Sequence, residues 1–85
     1  MATKKQKSSE EKLLLVLHGQ LSSAYATGLF GVKGYEKKLV ELTPGQVLGA
    51  KGQIIGERQA KLSRVCALID AATVELEDLI ELYEY

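Results

Sequence analysis

Few side chains in this sequence have the chemistry for catalysis. His18 is the one histidine and Cys66 the one cysteine, and no Ser-His-Asp or Cys-His set can be assembled around either. His18 has no Cys, Asp or second His at ligand spacing, so it reads as a surface or edge residue and no metal is expected there. Glu75, Glu77, Asp78, Glu81 and Glu84 crowd one end of the chain. They spread around a helix without the spacing of an EF-hand, which describes a solvated end. Acids near a helix C-terminus also oppose its dipole, a placement that a basic partner or mimicry of a phosphate backbone would explain. The reading is no enzyme, no metal and no cofactor.

Two glycine-lysine clusters invite comparison with phosphate loops. Gly31-Val32-Lys33-Gly34 and Gly49-Ala50-Lys51-Gly52 complete neither the G-x-x-x-x-G-K-[ST] nor the G-x-G-x-x-G pattern, and no hydrophobic strand precedes them. Nucleotide binding of those classes is not indicated. The remaining chemistry is positive charge: Lys33, Lys37, Lys38, Lys51, Arg58, Lys61 and Arg64 are the candidate contacts for an anion or a nucleic acid. Lys51 and Arg58 lie seven apart within the apolar sector of a helix, where a charge snorkels to the edge, pairs with an acid of another helix or binds an anion.

The elements that position these groups are predicted to be helices. The chain has 85 residues, 46% of them hydrophobic, with one proline and no tryptophan, which indicates a single small domain with an aliphatic core. Thr43-Pro44-Gly45-Gln46 is a helix start by chemistry, combining a capping box with proline at the first helical position. Ile55, Leu62, Val65, Ile69, Ala72, Leu76, Leu79 and Tyr83 then recur mostly three and four apart. The spacing predicts one helix of about forty residues and about 60 Å from Thr43 to Tyr83. Gly45, Gly49, Gly52 and Gly56 share a stripe on it, with a closely packed second backbone, a loop or a phosphate cradle as the readings.

Upstream, residues 1–8 read as a disordered basic tail and residues 9–85 as the single helical domain. Ser8 to Glu11 forms a second capping box. A first helix is predicted to about Thr27, with Leu13, Leu14, Leu17, Leu21, Ala24 and Tyr25 on one face and Leu15 on the other. Gly28, Gly31 and Gly34 suggest a reversal with Phe30 plugging the core at the bend. Tyr35 to Leu42 then reads as a short helix, with a strand as the alternative. The fold expected is an all-α helical hairpin with one short N-terminal and one long C-terminal helix, assembling into an oligomeric helical bundle.

Charge is polarised along the chain. Residues 1–32 carry four basic and two acidic groups, residues 33–64 seven and three, and residues 65–85 six acids and no base. Such polarity favours antiparallel or head-to-tail association. The longest apolar run, Leu13 to Leu17, is too short for a transmembrane span, and its flanks do not make a signal peptide, so no membrane is expected. The lone Cys66 fits a reducing cytoplasm as a buried small hydrophobe.

The function expected is a small self-associating helical interaction protein, structural, adaptor or inhibitory, whose partners are itself and another protein. A long seam that outruns its own N-terminal cover motivates this reading. The interface residues are Leu15, Gly49, Gly52, Gly56, Leu62, Val65, Ile69, Leu76, Leu79 and Tyr83. A nucleic-acid-binding accessory protein using the basic middle, and an oligomeric small-anion or nucleotide binder, are the alternatives. The composition resembles that of small phage-encoded accessory or inhibitor proteins, with no motif behind the likeness.

Overall fold

The computed structural model describes residues 7–83. Three helices follow in order, α1 (Ser9–Glu41), α2 (Pro44–Leu48) and α3 (Ala50–Leu82), and no strand occurs among the described residues. The all-α hairpin is as expected, but its two arms are equal, at 33 residues each. At about 1.5 Å per residue each arm is about 50 Å long. The radius of gyration is 19.7 Å, where a compact domain of this length has about 12 Å. The molecule is a rod.

Both expected capping boxes are present. Ser8 accepts a hydrogen bond from the Glu11 amide at 3.2 Å, and the Glu11 carboxylate accepts from the Ser8 amide at 3.4 Å. Thr43 and Gln46 repeat the arrangement at 3.4 and 3.0 Å, with Pro44 at the first helical position. These pairs satisfy amides that the first turn leaves unpaired. The expected tail, residues 1–8, lies outside the described residues except for Lys7 and Ser8.

The expected reversal at Gly28–Gly34 is absent: α1 runs through all three glycines to Glu41. The reason is packing across the hairpin. A methyl group on Gly28 would lie 2.6 Å from Cys66 Sγ, and one on Gly31 would lie 2.6 Å from Leu62 Cδ2. Gly28 and Gly31 are seats for side chains of α3, so the close contact offsets their poor helix propensity, whereas Gly34 has nothing within 4 Å of a prospective Cβ. Phe30 therefore has no bend to plug, and it stands 76% exposed. The segment Tyr35 to Leu42, expected as a separate short helix, is the last part of α1 and its cap.

The predicted single helix from Thr43 to Tyr83 is broken. Gly49, at φ −91° and ψ −172°, ends α2 and starts α3. Its amide donates to the Gln46 carbonyl at 3.2 Å. Gly52 explains how the broken pieces fit, because a Cβ there would collide with the backbone of Val47. Gly45 and Gly56 have open space where a Cβ would sit, so the glycine stripe as a whole is not a seat for a second backbone.

The core is one seam. The half-buried or buried positions of α1 and its cap include Leu14, His18, Leu21, Tyr25, Gly28, Val32, Tyr35, Leu39 and Leu42, at strictly alternating spacings of four and three. On α3 and its cap they include Gly52, Ile55, Gln59, Leu62, Cys66, Ile69, Thr73, Leu76, Ile80 and Tyr83. This is the heptad pattern of a two-stranded antiparallel coiled coil. Its register, set by Gly28 against Cys66, brings Leu14 level with Ile80, Tyr25 with Ile69 and Leu39 with Ile55. Val65, Ala72 and Leu79, expected on the seam, lie beside it and are exposed, as do Leu13, Leu17 and Ala24 of α1.

Candidate functional site

Three of the seven basic candidates converge at the bend. Lys38 of α1 and Lys51 and Arg58 of α3 line a cleft of about 630 Å³ with Glu41, Gln46, Tyr35, Leu42, Ile54 and Ile55. All three cations are exposed, which agrees with snorkelling out of the apolar sector. Lys33, Lys37, Lys61 and Arg64 are exposed on the same half of the rod but lie outside the cleft. The bend half is thus net basic, while residues 65–83 hold five acids and no base.

The open end carries a pair that the sequence reading does not anticipate. His18 Nε2 lies 3.0 Å from Glu77 Oε2, linking α1 to α3 across 59 residues of chain. His18 sits on the seam rather than off it, and the pair borders a shallower cleft lined by Leu15, Ile80 and Glu81. Both partners are partly exposed, so the bond contributes about 0.2–1 kcal/mol. No group of three or more His, Cys, Asp or Glu residues that could hold a metal occurs among the described residues.

The ten interface candidates separate into three groups. Leu62, Ile69, Leu76 and Tyr83 belong to the intramolecular seam, with Leu76 buried. Gly49, Gly52 and Gly56 lie at the break and in the first turns of α3, with only Gly52 buried. Leu15, Val65 and Leu79 are exposed.

The two flanks of the rod differ. Lys38 and Arg58 border the basic cleft, and steps of seven from them reach Gly31, Ala24 and Leu17 on α1 and Val65, Ala72 and Leu79 on α3. Ile54 borders the same cleft, and steps of seven from it reach Lys61, Leu68, Glu75 and Leu82. This flank is apolar over most of its length. The other flank passes Glu77 and Glu81, and the corresponding steps reach Asp70, Ser63 and Val74. It is the more polar of the two.

Very little is hidden. Among the described residues the buried apolar ones are Ile55, Cys66 and Leu76, whereas fifteen large apolar residues are exposed. The chain exposes 6777 Å², against about 5,000 Å² for a compact monomer of 9.3 kDa. The unbroken α1 also bears on the expectation about membranes. Residues 13–32 contain no Asp, Glu, Lys or Arg, and Ser9–Glu41 holds an 18-residue window of mean hydropathy 1.2, long and apolar enough to cross a membrane by length and composition. Weak polar residues such as Ser22 and Ser23 interrupt the apolar run without adding charge, so a search for consecutive apolar residues passes over it.

No family model, curated protein or solved structure matches the chain.

Proposed function

We propose that this protein is a small self-associating helical interaction protein that acts by protein–protein binding in the cytoplasm and catalyses no reaction. The observation that supports this most is the apolar surface left outside the hairpin. Two helices can cover one face of each other, and among the described residues no third layer covers the fifteen exposed large apolar side chains. Burial is worth about 25 cal/mol per Å² of apolar area, so covering even a few of these side chains yields several kcal/mol, comparable to the whole stability of such a domain. The length mismatch expected from sequence plays no part, since the arms are equal. Light scattering tests the proposal: a mass above 9.3 kDa at micromolar concentration is expected, and a soluble helical monomer would overturn it.

A second reading rests on the bend cleft. Lys38, Lys51 and Arg58 are brought to one concavity, which suits a phosphate-bearing partner. It predicts binding to single- or double-stranded nucleic acid that weakens steeply with salt. Lys51→Ala and Arg58→Ala would each weaken that binding, and affinity unchanged by both substitutions would remove this reading.

A further inference from the structure

On α3, Ile54, Lys61, Leu68, Glu75 and Leu82 form a single exposed row at steps of seven. The row is self-complementary about Leu68. Reversed and laid on itself, it sets Leu68 against Leu68, Lys61 against Glu75 and Ile54 against Leu82. The neighbouring row, reversed in the same way, brings Val65 opposite Ala72 and the stem of Arg58 opposite Leu79. We propose that a second copy of this chain docks antiparallel on this flank, with the two-fold axis passing close to Leu68, to form a four-helix bundle.

Three observations select this occupant and this orientation. The charges match: the antiparallel arrangement lays the basic bend half of one copy along the acidic open end of the other, whereas a parallel arrangement lays the two basic bend halves on each other. The area suffices. A flank about 50 Å long and 16 Å wide has an outline of about 800 Å², the share each partner buries in a standard interface. The surface is also suited to close approach, because Ala24 of α1 and Ala72 of α3 lie exposed in the middle of the flank and let a second layer settle close. In the resulting bundle every helix has antiparallel neighbours, so the macrodipoles of adjacent helices oppose each other as well.

The inference rests on the self-association proposed above, and the test separates the two. Dimerisation of the full chain is measured by analytical ultracentrifugation for wild type, Leu68→Glu, Val74→Glu, Lys61→Glu, Glu75→Lys and the double variant Lys61→Glu/Glu75→Lys. Leu68 is 70% exposed and Val74 50% exposed in the single hairpin, so neither change empties the seam. Leu68→Glu sets two carboxylates together at the axis and is expected to raise the dimer Kd by about a hundredfold or more. Val74→Glu, on the other flank, leaves it within about twofold. Each single charge reversal weakens the dimer by about tenfold, and the double variant recovers most of that loss. A dimer broken by Val74→Glu and indifferent to Leu68→Glu overturns the flank while self-association stands. Failure of the double variant to recover overturns the antiparallel register. A monomeric wild type removes both readings together.

Discussion

Gly28 and Gly19 occupy the same helix and have the same intrinsic propensity, yet they should answer substitution oppositely. Gly19 has nothing within 4 Å of a prospective Cβ, and its φ is not positive, so Gly19→Ala should stabilise the fold by about 0.5–1 kcal/mol. At Gly28 the added methyl meets Cys66 Sγ at 2.6 Å. Overpacking of this kind typically costs about 1–3 kcal/mol, so Gly28→Ala should be neutral at best and destabilising by about 1–2 kcal/mol if Cys66 cannot turn aside. Combining it with Cys66→Ala should recover part of the loss, a coupling that urea unfolding of the single and double variants would read. Independent effects of the two changes would refute the seat assigned to Cys66. At the open end, Glu77→Gln should cost less than about 1 kcal/mol, since the His18 pair is solvent-accessible.

Among the elements, the break at Gly49 is held by one glycine of the stripe. Gly52→Ala should destabilise the fold by about 1–3 kcal/mol by forcing α2 away from α3, whereas Gly56→Ala, with open space at its Cβ, should be neutral or stabilising by up to about 1 kcal/mol. Equal effects in thermal melts of the two variants would contradict the role given to Gly52. The contrast also shows what the sequence discloses. The helix starts at Ser8 and Thr43 are legible, because capping chemistry is local and complete within four residues. The seam is legible only in part: Ile55, Leu62, Ile69, Leu76 and Tyr83 lie on it as expected, but its line also passes through His18, Gly28, Gly52, Gln59 and Thr73. The large apolar residues Leu13, Val65, Leu79 and Leu82 lie beside that line. A reading that follows the bulkiest side chains lands on the outer flanks, and it takes glycines to be bends when they are seats. The cleft at the bend was half legible. Lys51 and Arg58 stand out by their spacing, but Lys38 joins them only because α1 continues past Gly34.

For the whole molecule, the weak seam and the bare flanks are two aspects of one design. Small and polar residues on the core line limit what the hairpin gains from its own closure, and the apolar area displaced to the outside is available to a second molecule. Salt distinguishes how that second molecule sits. If the basic half of one rod lies on the acidic half of the next, raising ionic strength should weaken association, whereas copies aligned bend to bend would associate more strongly as their repulsion is screened.

Whether the lone hairpin is incomplete and gains its stability from another copy can be read from the thermal midpoint of helix loss as a function of protein concentration. Because association stabilises the folded state by mass action, the midpoint should climb steadily from micromolar to hundreds of micromolar, with α1 and α3 melting together. A midpoint that stays fixed over that range, with full helicity at the lowest concentration, would contradict it.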